Sequence, residues 1–129
     1  NFVKTILRLA KVQNTLNVVC DQIGSPTSAE LIADVTSFCL YKIAQDQVLA
    51  ETIKGTYNLT ASNKTSWYNF AKHIISESQE LGGLFLAKPE NIISIYSSEL
   101  NLPAIRPINS VLNTQKLCDT FKLYLVDLI

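Results

Sequence analysis

Apolar residues recur at helical spacing over the first dozen positions. Phe2, Ile6, Leu9 and Ala10 share one face and Lys4, Arg8 and Lys11 lie off it, so an amphipathic helix is predicted from residue 2 to about 13. Asn14-Thr15 breaks the pattern, and Leu16 to Cys20 reads as a short buried strand. Pro26-Thr27 opens a second helix. Thr27 is the expected N-cap, with Glu30 three residues on in a capping-box pattern. Leu31, Ile32, Val35, Phe38, Cys39 and Ile43 carry its apolar stripe onward.

Farther along, Gly55 to Leu59 reads as another strand, and the polar cluster Ser62 to Thr65 as a loop with Thr65 as N-cap. A third helix is predicted from Ser66 to about Leu81, burying Trp67, Phe70, Ala71, Ile74, Ile75 and Leu81 and stopped by Gly82-Gly83. Ile92 to Ile95 is a candidate strand. Pro103 and Pro107 bracket an extended loop, and Asn113 or Thr114 starts a short helix carrying Leu117, Cys118 and Phe121. The apolar tail Leu123 to Val126 calls for a neighbour to cover it. Two or three short strands do not make an independent sheet. The fold class is therefore α/β, mostly helices with a few short strands, with edges and apolar faces left for another part to cover.

Composition narrows the function. Hydrophobic residues make up 47% of the 129 and charged residues 17%, which predicts a packed core rather than disorder. Eleven basic and eleven acidic residues cancel, so nothing favours a nucleic-acid partner. No apolar run approaches the roughly 20 residues of a membrane span, and the start lacks the form of a secretory signal. Cys20, Cys39 and Cys118 are odd in number and outside metal-ligand spacing, so they read as free thiols in a reducing, cytoplasmic setting. The two sequons at Asn58 and Asn63 read as chance matches in that setting. The chain has no methionine, not even at position 1, which fits either a processed protein or, more sharply, a piece of a longer chain.

Candidate chemistry is sparse. Tyr68-Asn69-Phe70-Ala71-Lys72 has the Tyr-x-x-x-Lys spacing in which a lysine lowers a phenol pKa, but two residues at one spacing arise often by chance, and a helix-surface pair is the simpler reading. His73, the sole histidine, falls off the apolar stripe and supports neither a zinc site nor a triad. No glycine-rich phosphate loop is present. The richest segment is Asp21-Gln22-Ile23-Gly24-Ser25-Pro26-Thr27, at the carboxyl end of a strand and the start of a helix, where α/β proteins bind ligands. The structural alternative stays open: Asp21 and Gln22 would satisfy loop backbone, Gly24 a turn, Pro26 and Thr27 the helix start. Arg106 is the best candidate for a direct contact, since a guanidinium grips a diphosphate bidentately; a plain surface arginine is the other reading.

Asp-Gln-x-Gly-x-Pro-Thr, the Ala29-Glu30-Leu31-x-Ala33-Asp34 segment, the Trp67 helix and Arg106-Pro107-x-Asn109-Ser110 follow Asn1-Phe2 in one order. In this the chain resembles the C-terminal half of the dTDP-4-dehydrorhamnose reductases, a family of the extended short-chain dehydrogenases. The resemblance implies that residues 1–129 form a C-terminal substrate-binding domain of a Rossmann-type enzyme whose cofactor-binding half is absent. The parent would reduce dTDP-4-dehydro-L-rhamnose to dTDP-L-rhamnose with NADPH or NADH, for polysaccharide biosynthesis. The isolated piece would be inactive. Its partners would be the dTDP-sugar, the N-terminal cofactor-binding half and a second copy in a homodimer. Substrate contacts are implied for Gln22, Gly24, Pro26, Thr27, Arg106 and Asn109, with Ser110 ordering the last loop. Ile105 stands where the family carries a basic residue. In some relatives the acid matching Glu30 helps hold Mg2+; the helix cap is the other reading of that residue. A non-catalytic binding relative, and a reductase or epimerase for another nucleotide sugar, remain the alternatives.

Overall fold

The computed structural model describes residues 1–100, 104 and 106–127. They divide into two compact units. The first comprises Asn1–Gly24 and Thr65–Ser110, the second Ser25–Lys64 and Val111–Leu128.

In the first unit, α1 (Phe2–Ala10) starts where the Asn1 side chain accepts the Val3 N–H at 3.0 Å. It buries Ile6 and Ala10. It stops three residues short of the predicted end, because the Val12 and Gln13 amides both turn back to the Leu9 carbonyl (3.0 and 2.9 Å). The strand β1 (Leu16–Val19) pairs in parallel with β4 (Ile92–Ile95), Leu16 opposite Ile92 and Val19 opposite Ile95. α4 (Trp67–Glu80) packs against α1, β1 and β4. Its Phe70, Ala71, Ile74 and Ile75 close a core with Ile6, Ala10, Leu16, Val18 and Ile92.

Two expectations for this unit are corrected. The N-cap of α4 is Ser66, whose Oγ accepts the Asn69 N–H at 3.1 Å, rather than Thr65. Thr65 belongs instead to β3 (Thr65–Ser66), which runs antiparallel to β2 (Ile23–Gly24). Leu81 is not on the buried face but 89% exposed, because it is the C-cap and lies past the last helical turn. Gly82 ends α4 as predicted, with a positive φ of 87° that glycine adopts without a Cβ penalty.

In the second unit, α2 (Ala29–Gln45) starts at Ser28, whose Oγ accepts the Leu31 N–H at 3.0 Å. Thr27 is therefore not the cap. Its hydroxyl donates to the Ser25 carbonyl (2.9 Å) and accepts the Ala61 N–H (3.1 Å). With the cap one residue later, Glu30 is the second helical residue rather than the third and cannot complete the expected capping box. The apolar stripe of α2 is present, but no residue of the helix is buried. Asp46 ends α2 and caps α3 (Gln47–Thr52), accepting the Leu49 N–H at 2.9 Å.

The predicted strand at Gly55–Leu59 has no ladder among the described residues. Side chains hold it instead. Lys116 Nζ donates to the Thr56 carbonyl (3.0 Å), Asn58 Nδ2 to the Asn113 carbonyl (3.0 Å), and the Tyr57 hydroxyl to the Ile53 carbonyl (3.1 Å). The Tyr57 ring meets Phe121 edge-on at 5.8 Å and carries the Lys116 ammonium 4.2 Å above it. Phe121 and Leu117 are the buried residues of α5 (Gln115–Phe121), whose N-cap is Thr114. In the tail, Tyr124 and Val126 are exposed, and the Val126 carbonyl accepts the Ser62 N–H at 3.2 Å.

Candidate functional site

The first unit holds a groove of about 400 Å³ whose wall includes Phe2, Val18, Gln22, Trp67, Leu100 and Arg106. It forms because β1 ends there and α1 and α4 both begin there. Phe2 and Trp67 stand one at each helix start, with ring centroids 4.8 Å apart and planes at 51°, and Phe2 stacks on buried Phe70 at 5.7 Å. Such tilted aromatic contacts contribute about 0.5–1.5 kcal/mol beyond burial and fix the rings in place. The groove thus has a rigid apolar side.

Its polar side chains include Thr5, Asn17, Gln22 and Arg106. Gln22 is only 7% exposed, and its side-chain amide offers both donors and an acceptor. Arg106 is exposed and reaches the same groove with its always-charged guanidinium. An aromatic wall, a buried amide and an arginine suit a flat ring with hydrogen-bonding edges joined to an anionic group.

The turn after β1 builds this wall. The Cys20 N–H donates to the Ile95 carbonyl at 2.9 Å. The Asp21 carboxylate accepts the Ser97 N–H (3.0 and 3.2 Å) and the Ser97 hydroxyl (2.7 Å). The Gln22 carbonyl accepts the Trp67 N–H at 3.4 Å. Ile23 donates to the Ile108 carbonyl (2.8 Å) and accepts from the Ser110 amide (2.9 Å) and hydroxyl (3.1 Å). Gly24 pairs with Thr65, and a Cβ there would stand 3.1 Å from Ser110 Oγ.

The predicted site residues therefore separate. Gln22 and Arg106 share the groove. Asn109 bridges to Ile23, and Gly24 is buried beside Ser110. Pro26, Thr27 and Glu30 fall in the second unit, where Pro26 and Thr27 are half-buried and Glu30 is exposed. Pro103, expected to bracket the Arg106 loop, lies outside the described residues. The sequence reading missed Phe2 and Leu100 as groove residues and took Trp67 for core. Trp67 is half-buried and does both jobs.

Other chemistry recedes. The Lys72 ammonium lies 5.5 Å from the Tyr68 ring centroid, a contact of the helix surface. His73 Nδ1 lies 3.9 Å from Glu77 Oε1, one turn away on the same helix. Among the described residues, no three His, Cys, Asp or Glu side chains gather as a metal ion would require. No described helix is long and apolar enough to cross a membrane. The three cysteines are free and half-buried, and partial burial raises the Cys39 thiol pKa.

This chain is similar to known reductases over nearly its whole length. It is 35% identical to the dTDP-4-dehydrorhamnose reductase of Burkholderia thailandensis over 127 residues, which is 98% of this chain and 43% of that protein. It is 40% identical to the enzyme of that name from Salmonella typhimurium over 125 residues, 97% of this chain and 40% of that protein. The chain thus spans less than half the length of these relatives. Its fold matches a crystal structure of dTDP-4-dehydrorhamnose reductase from Bacillus anthracis in complex with NADP, with a TM-score of 0.73 and 28% identity, covering 98% of this chain and 39% of that one. A family model described as the RmlD substrate binding domain matches residues 1–127, and the chain belongs to that family.

Proposed function

We propose that residues 1–129 act as the substrate-binding domain of a cytoplasmic NADPH-dependent reductase that converts dTDP-4-dehydro-L-rhamnose to dTDP-L-rhamnose, a sugar donor for polysaccharide synthesis. The observation that carries the reading is the meeting of Gln22 and Arg106 with the Phe2–Trp67 pair in one groove. In this reading the thymine packs on the aromatic side and hydrogen-bonds to the Gln22 amide. Arg106 takes the diphosphate through charge-assisted hydrogen bonds. The NADP found with the Bacillus anthracis structure supports a nicotinamide cofactor for the parent. When bound, that cofactor supplies the hydride. This sequence has no glycine-rich phosphate loop of its own, so the cofactor and the proton donor belong to a cofactor-binding half. The role of this chain's residues is to hold and orient the nucleotide.

The test is a titration of the 129-residue chain with dTDP and with thymidine, followed by the fluorescence of Trp67, the single tryptophan. The expected result is tighter binding of dTDP. Arg106→Ala should weaken dTDP about tenfold, the low end for a hydrogen bond to a charged group because the site is exposed, and leave thymidine unchanged. Equal affinities for the two ligands, or an Arg106→Ala variant that binds dTDP as the parent does, would refute the reading.

A further inference from the structure

Leu100 and Arg106 are exposed members of the groove wall that belong to no helix or strand. Leu100 shares the groove wall with Gln22. It ends a 3-10 turn, Ser97–Glu99, that is closed upon itself. Glu99 Oε1 accepts the Tyr96 N–H at 2.6 Å, and the Leu100 N–H donates to the Ser97 carbonyl at 3.2 Å. The turn therefore moves as one piece. Ser97 joins it to the end of β1 by giving both its amide and its hydroxyl to the Asp21 carboxylate. Hydrogen bonds to a carboxylate are roughly twice as strong as neutral ones. Asp21 does not line the groove, but it adjoins Gln22, which does.

We propose that Asp21 is a positioning residue. Through Ser97 its carboxylate fixes Leu100 at the groove, so nucleotide affinity depends on a side chain that never touches the nucleotide. This inference rests on the nucleotide-binding reading of the groove and adds to it the residue that sets the wall. Asparagine at 21 keeps the shape but loses the charge and one acceptor. Ser97→Ala keeps the amide and loses the hydroxyl. Ser97→Thr keeps both donors.

The experiment measures dTDP dissociation constants by Trp67 fluorescence in the full 129-residue chain, for Asp21→Asn, Leu100→Ala, the double variant, Ser97→Ala and Ser97→Thr. Asp21→Asn should weaken dTDP about five- to tenfold, as expected for damaging a charged hydrogen bond. In the Leu100→Ala background the same change should cost less than about twofold, because the two act as one unit. Ser97→Ala should follow Asp21→Asn, and Ser97→Thr should bind as the parent does. Amide exchange at Ser97 should quicken in Asp21→Asn whether or not a ligand is present. Additive losses, unchanged affinity in Asp21→Asn, or unchanged exchange at Ser97 would overturn the proposal while leaving the groove reading intact. A parent chain that does not bind dTDP would overturn both. A general loss of stability would lower the unfolding midpoint without producing the non-additive cycle.

Discussion

Ile75 offers the sharpest test of the packing that places the groove. It is 0% exposed, on the face of α4 that closes the core with α1, β1 and β4. Trp67 sits at the start of the same helix, so the position of the groove's aromatic side depends on this contact. Ile75→Ala removes three buried carbons, a transfer loss of about 2.4 kcal/mol at about 0.8 kcal/mol per methylene. The space left behind raises the cost to about 4 kcal/mol unless the neighbours collapse into it. Ile75→Val removes one carbon and should cost about 1 kcal/mol. Urea unfolding followed by Trp67 fluorescence reads this directly, since the only tryptophan lies in the same unit. With a slope near 2 kcal/mol per molar, the alanine variant should unfold at about 2 M lower urea with the slope unchanged. A loss below about 1 kcal/mol for Ile75→Ala, or equal losses for both variants, would refute the close-packed arrangement.

Two further outcomes follow from single contacts. Gly24→Ala should cost about 1 kcal/mol by overpacking, because its Cβ meets Ser110 Oγ at 3.1 Å while that hydroxyl is held on the Ile23 carbonyl. Adding Ser110→Ala should recover most of that loss in the same urea assay. At about pH 8.5, alkylation of Cys39 by iodoacetamide should be slower in the folded chain than in urea, since burial raises the thiol's pKa and thiolate is the reactive form. The sign for stability follows. The contribution of this thiol is complete below its unfolded pKa and is lost as pH rises through the higher folded one, so Cys39→Ser should flatten the alkaline side of the stability curve.

Periodicity in the sequence was enough for α1, α4, β1 and β4, because each carries its own burial pattern and those patterns meet in one core. The starts of α2 and α4 were read one residue early. Thr27 and Thr65 are acceptable caps in isolation, but each hydroxyl or backbone is committed elsewhere, and the neighbouring serine takes the role. The stripe on α2 correctly announced a helix but not burial, since periodicity shows which face is apolar and not what lies against it. Gly55–Leu59 has strand composition without a ladder; whether a β-prone run pairs is decided by neighbours far along the chain. Gln22 and Arg106 were singled out by their chemistry, and both line the groove. Phe2 and Leu100 were not, because an apolar residue at a helix start or after a turn has the same local pattern whether it faces core or ligand. α3 was missed although Asp46 is a residue type that favours the N-cap, where its carboxylate accepts the Leu49 N–H.

The turn from Cys20 to Gly24 makes a separate attachment at each of its five residues. Several of these attachments run through the backbone, so side-chain replacement breaks at most one at a time. Deleting or inserting a single residue there would throw every later attachment out of step with its counterpart. Related sequences should therefore vary in composition across this segment far more readily than in length, and alignment gaps should fall outside it.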